Sequence, residues 1–219
     1  MKSSLFYSET QTEIETKIKN FLNSQPDYLS AKTANSPRAT GDAIQELLAE
    51  NFDKILGEHC SEYQSEFSRR AMADLAFKDK DGFYYIVDVK THRKEEGFHM
   101  PNLTSVERIS RFYQDDKNYF LILFIGYSVQ DSKVVVEDLH FVPIEFLSWD
   151  CLTLGALGWG QIQIANSNNL LIEKGTSRKT WMLNLCDALA DFYPKEIAKI
   201  TKRINHFEKI RKTQEAKFN

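Results

Sequence analysis

Asp74, Asp88 and Lys90 are the residues of this chain best suited to act on a phosphate. The two carboxylates stand fourteen residues apart, and the lysine follows the second by two. They lie in SRRAMADLAFKDKDGFYYIVDVKTHR, residues 68–93, whose pattern predicts one β-hairpin. Residues 72–78 are apolar, 79–82 carry a turn signal, and 83–89 are aromatic and β-branched. Side chains alternate along a strand, so Asp88 and Lys90 point one way and Val89 the other. The hairpin then brings Asp74 beside them. Adjacent carboxylates repel, and a hard divalent cation such as Mg²⁺ offsets that cost. A lysine at the edge of such a pair can orient a water or stabilise charge growing on a phosphate. The chemistry is metal-assisted phosphodiester hydrolysis. The plain alternative is a turn-forming aspartate near a chance D-x-K triplet. Placement favours the site, because Asp88 and Lys90 close a run that should be a core strand. A charge there is costly unless paired or metal-bound.

The elements around the hairpin must hold it. Residues 9–23 predict an amphipathic helix with Ile14, Ile18, Phe21 and Leu22 on one face. A polar loop with Pro26 and Pro37 spans 24–38. A second helix starts near Thr40, taken as its cap, and runs to about Leu56. After the hairpin come a loop over 92–102 and a short helix over 106–113. The run 119–129, YFLILFIGYSV, is continuously apolar, as in a central strand covered on both faces. A turn at 130–133 leads to a strand over 134–143. Short strands are predicted at 161–165 and 170–173. The last helix covers 178 to about 212, kinked or divided at Pro194. The order implies an α/β fold, a mixed central β-sheet flanked by helices. One domain of 219 residues can bury a substantial core.

A net charge of −3 does not advertise nucleic-acid binding, although an acidic protein can carry a basic cleft. Basic residues gather at Arg69 and Arg70, at His92, Arg93 and Lys94, and at Arg178 and Lys179. Cys60, Cys151 and Cys186 are widely spaced and odd in number, which predicts reduced thiols. No long apolar segment or signal peptide is visible, so a soluble, cytoplasmic protein without membrane contact is expected. Absence of HExxH, Walker and GxGxxG motifs argues against zinc hydrolases, NTPases and dinucleotide enzymes.

The strand–turn–strand with Asp74, then Asp88-Val89-Lys90, resembles the PD-(D/E)xK nuclease superfamily, with Ala73 where the proline usually stands. Residues 88–105, DVKTHRKEEGFHMPNLTS, are similar to the active-site strand and following loop of HincII-type restriction endonucleases, relatives of EcoRV. The likeness resumes at GQIQI, residues 160–164, and at GTSRKTW, residues 175–181. It spans roughly Thr40 to Phe207. The resemblance implies a restriction-endonuclease-like core in one domain. An N-terminal helix and loop would take residues 1–38, the catalytic core 40–145, and recognition strands with C-terminal helices 155–212. It further implies a Mg²⁺-dependent type II enzyme that cuts double-stranded DNA at a short palindrome. The ends would be blunt with 5′-phosphates, the enzyme a homodimer, and a cognate methyltransferase part of the same system.

Asp74 and Asp88 are the expected metal ligands and Lys90 the third catalytic residue. Glu46, on the second helix, is the candidate for a further acidic group, with Asp42 and Glu50 as rivals a turn away. Thr91, His92 and Arg93 follow Lys90 and could contact the scissile strand. His99 and Asn102 sit in the matched loop used near the minor groove, though Asn102 equally suits a helix cap. Gln161 and Gln163 share a strand face suited to base edges, and Arg178 and Lys179 open a helix suited to a phosphate. Rival readings are a nuclease of repair or recombination that cuts by structure, a silent DNA-binding module, and an interaction protein whose hairpin only resembles the motif.

Overall fold

Two compact units, Met1–Gly175 and Thr176–Asn219, make up the computed structural model, which describes residues 2–25, 29–65, 72–130 and 132–217. Among the described residues of the first unit the α-helices are α1 (Thr10–Ser24), α2 (Ala31–Ala34), α3 (Pro37–Ala49), α4 (Phe52–Leu56) and α5 (Val106–Phe112). Its strands are β1 (Glu62–Gln64), β2 (Leu75–Lys78), β3 (Tyr84–Arg93), β4 (Asn102–Ser105), β5 (Asn118–Gln130), β6 (Lys133–Pro143), β7 (Leu152–Gly155) and β8 (Gln161–Ile164). Five of them form one mixed sheet in the order β1-β2-β3-β5-β6, in which only the β3–β5 pair is parallel. A second, antiparallel sheet has the order β4-β8-β7. The class is α/β, as the pattern predicts.

β5 is buried along almost its whole length, which explains a run without alternation. Beside it, Tyr85 of β3 joins an aromatic cluster with Phe6, Phe77, Phe83 and Tyr119. Removing such side chains from water contributes about 1.5–3 kcal/mol each. α1 seats Ile14, Ile18 and Leu22 in the core and fastens to β6 through Asn23, whose side chain accepts from Val136 N–H at 2.8 Å. The β2–β3 turn is set by Asp79. Its Oδ1 accepts from the amides of Asp81 and Phe83, both at 2.9 Å, and its Oδ2 from the Tyr85 hydroxyl at 2.6 Å.

Several predicted boundaries shift for identifiable reasons. α3 begins at Pro37, not at Thr40, because Ser36 accepts from Ala39 N–H and Pro37 supplies a first-turn residue with no amide to satisfy. Thr40 lies inside the helix, buried, and donates to Thr33 O. The predicted run to Leu56 breaks at Asn51, whose side chain donates back to Leu47 O and leaves α4 as a separate turn. β3 runs on through Arg93, into the predicted loop. Residues 170–173 make a single bridge, Leu147↔Ile172, not a strand. β1, β4 and β7 were not foreseen. They are three or four residues long and gain their identity only from distant partners.

The second unit is described by one helix, α6 (Arg178–Glu215), capped by Ser177, whose side chain accepts from Thr180 N–H. It is not divided at Pro194, the alternative to a kink that the sequence left open; the proline stands inside the helix with no amide to donate. Among the described residues no helix is long and apolar enough to cross a membrane. Cys60, Cys151 and Cys186 are free thiols.

α3 lies so close to β3 that a Cβ on Gly41 would stand 2.5 Å from Thr91 Oγ1. Gly41→Ala is therefore expected to cost about 1–3 kcal/mol in denaturant unfolding, even though alanine favours a helix. Adding Thr91→Ala should restore most of that loss, and failure to do so would place the strain elsewhere.

Candidate active site

Asp74 immediately precedes β2, and its N–H donates to Val87 O at 2.9 Å. Its carboxylate Oδ2 accepts from the Val89 amide at 2.8 Å, which fixes it against β3. From β3, Asp88 turns toward the same place. It is only 8% exposed, and its Oδ1 accepts from Lys90 Nζ at 2.7 Å. Val89, on the opposite face, is buried in the core. The hairpin thus joins the three residues as their spacing predicts.

The electrostatics are uneven. Burial pushes the Asp88 carboxyl up to about 7, against the pull of the Lys90 ammonium, and the Asp74 charge raises it further. Asp88 Oδ2 is buried and has no hydrogen-bond partner. Most buried polar atoms are satisfied, so an orphaned carboxylate oxygen beside a second carboxylate fits a cation. Among the described residues no group of three His, Cys, Asp or Glu side chains forms a metal cluster. A divalent ion would draw two carboxylates from the chain and its remaining oxygens from water and substrate.

Asp74 and Asp88 line a cleft of about 410 Å³. Thr104 and Ser105 of β4 and Glu107 and Arg108 of α5 form another wall, with Leu157, Trp159 and Gln161 of the β7–β8 hairpin at the rim. Leu157 and Trp159 are 66% and 54% exposed, and the Arg111 guanidinium lies 5.9 Å from the Trp159 ring. Gly158 and Gly160, at φ 58° and 124°, shape the turn around Trp159. Thr104 and Trp159 were missed from sequence, since β4 and β7 were missed; Arg108 lies on the predicted helix α5, but periodicity does not say which of its polar residues meets the cleft. A tryptophan bracketed by glycines was the one available signal.

The other candidates divide. Gln161 reaches the cleft. Lys90 and Thr91 line a second cavity of about 240 Å³ with Arg38, Gly41, Asp42 and Gln45 of α3. Asp42 stands there, whereas Glu46 is exposed and lines neither cavity, so the structure does not bring Glu46 to the carboxylate pair. His92 is turned inward, 3% exposed, with Nε2 at 2.6 Å from Asn168 Oδ1 and Nδ1 at 3.4 Å from Ser167 Oγ. Its ring is thus engaged inside the fold, not presented at the surface as the expected contact to a scissile strand would need. Arg93 is also occupied, donating to Ala34 O at 2.8 Å and paired with Glu95. His99 is exposed beside Glu96, and its amide donates to Ser167 Oγ. Asn102 is exposed on β4, where its Oδ1 accepts from Gln163 Nε2 at 2.6 Å; the cap of α5 is Ser105. Arg178 and Lys179 open α6 in the second unit. Arg69 and Arg70 lie outside the described residues.

No protein-family model matches the chain, and no curated protein matches it.

A carboxyl that binds its proton more tightly folded than unfolded stabilises the fold below the unfolded value, and that contribution fades as pH rises through the folded value. In a metal-free preparation, stability should accordingly fall between about pH 4 and pH 7, the window set by the Asp88 shift. Denaturant titrations at stepped pH would show this slope in the native chain and a flatter one in Asp88→Asn. Equal slopes would remove Asp88 as its cause.

Proposed function

We propose that this chain is a metal-dependent nuclease of duplex DNA, and specifically a type II restriction endonuclease of the PD-(D/E)xK kind. The observation that carries the reading is the carboxylate pair Asp74–Asp88 lining a cleft, with Lys90 bonded to Asp88 and one buried carboxylate oxygen left unpartnered. The resemblance at residues 88–105, 160–164 and 175–181 supplies the narrower class.

Asp74 and Asp88 would hold Mg²⁺, which when bound supplies Lewis acidity at a phosphate oxygen and lowers the pKa of a coordinated water. The Val89 amide keeps Asp74 acceptor-side inward, so the pair is set before any substrate arrives. Lys90 is held at 2.7 Å from Asp88 and supplies a positive charge for the attacking water and for charge developing on the phosphate. Displacement leaves a 5′-phosphate and a 3′-hydroxyl. Arg108, on the wall of the same cleft, is placed to meet a flanking phosphate. Gln161 at the rim offers an amide to a base edge. Action on a palindrome as a homodimer, with a partnering methyltransferase and a cytoplasmic setting, follows from the same reading.

Purified protein should cut plasmid DNA only with Mg²⁺ present, into discrete fragments whose sequenced ends share one palindrome. Lys90→Ala and Asp88→Asn are each expected to lower the rate by at least about a hundredfold without unfolding the protein. A Mg²⁺-dependent smear would replace the restriction reading with a structure-directed nuclease. Absence of cleavage on unmethylated DNA of varied sequence would end the nuclease reading altogether.

A further inference from the structure

The charge of this chain is unevenly spread. Residues 195–212 of α6 hold seven lysines and arginines against two glutamates, in a chain whose net charge is −3. Lys195, Lys199, Lys202, His206 and Lys209 recur at alternating spacings of four and three, and all of them are exposed. At about 3.6 residues per turn that spacing draws one stripe along the helix, about 21 Å from Lys195 to Lys209. Among the described residues the acidic partner on this stripe is Glu196, with an oxygen 2.6 Å from Lys199 Nζ. A face that needs only solvation mixes both signs, because like charges three and four apart weaken a helix. A stripe of one sign over this length instead suits an extended polyanion.

We infer that this stripe binds the phosphate backbone of duplex nucleic acid, whatever its sequence. A duplex carries one phosphate charge per ~1.7 Å of axis, so a run of about 21 Å faces roughly a dozen. An exposed ammonium on a flexible stem meets such charge as a point and reads no base. The other extended polyanion, an anionic lipid surface, is argued against by where the apolar residues stand. Tyr193 and Lys202, Lys195 and Ile204, and Ile200 and Lys209 are each nine residues apart. Nine residues make about two and a half turns, so the members of each pair lie on opposite sides of α6. A helix lying with its apolar side in lipid would turn the stripe away from the headgroups. It would also bring Glu196 and Glu208 toward them, since these border the apolar residues on either side. The stripe stands independently of the reaction proposed above, since it uses none of the cleft residues.

Fluorescence anisotropy of the full chain on labelled duplex DNA of random sequence, without divalent metal, tests this. Between about 50 and 200 mM salt, the logarithm of the binding constant should fall linearly with the logarithm of salt concentration. In Lys195→Gln with Lys202→Gln and Lys209→Gln the slope should be shallower by about 0.9 per lysine, and low-salt affinity at least about tenfold weaker. Helix content should be retained, since glutamine is as good a helix former as lysine. Removing three exposed lysines of the first unit, Lys17→Gln with Lys54→Gln and Lys80→Gln, should leave the slope unchanged. Equal slopes in the native chain and the α6 variant, or the same flattening in the first-unit variant, would each overturn the proposal. So would a native protein that does not bind DNA at low salt, whether or not it binds phosphatidylserine vesicles. DNA bound in this way but never cut with Mg²⁺ would end the reaction proposed above and leave the stripe standing.

Discussion

A carboxylate kept out of water near the middle of a strand is an expensive group, and the Asp88 carboxylate is one. Its neighbours on β3 and β5 are apolar, and only one of its oxygens has a hydrogen-bonding partner, the Lys90 ammonium. The rest of the first unit can be understood as what keeps that arrangement from collapsing. The parallel ladder between β3 and β5 fixes the strand along ten residues. The antiparallel ladder with β2 delivers Asp74 and its bond to the Val89 amide. A charge so confined is uncomfortable in the isolated protein, and that discomfort is available to favour whatever cation or proton relieves it.

The helices contribute by confinement. α3 reaches β3 with no side chain at Gly41 between them, so Thr91 and Lys90 have a wall on one side. On the other, β4 and α5 face Asp74 and Asp88 across the cleft. Among the described residues bordering the carboxylate pair, the large apolar side chains that face outward are those of the β7–β8 turn. The carboxylate pair and the exposed apolar rim thus come from different parts of one unit: the ladders of the large sheet hold the first, the small sheet the second.

Much of this was legible in the sequence, for physical reasons. The grouping of Asp74, Asp88 and Lys90 was readable because strand alternation is a local rule that a hairpin turn then folds over. β5 was readable because a strand covered on both faces has to be apolar throughout. The inward turn of His92 was not readable, since the atoms that claim its ring, on Asn168 and Ser167, lie more than seventy residues away. Asn102 looked like a helix cap because caps and short strands draw on the same polar residues; only pairing with β8 decides it. Glu46 and Asp42 differ by one helical turn, and hydrophobic periodicity cannot distinguish which of two polar neighbours faces a crevice.

β3 is moored on both sides of Asp88 and Lys90. Before them, the Tyr85 hydroxyl is engaged by Asp79 and Ser3. After them, His92 is engaged by Asn168, and Arg93 by the Ala34 carbonyl. A segment tied down at both ends behaves as a stiff beam, and the carboxylate and ammonium at its middle have little room to move. Any adjustment at the cleft would then fall to the β7–β8 turn with its two positive-φ glycines. Such a division would let variants of this chain change what the cleft can accept by altering a turn, with β3 left as it is.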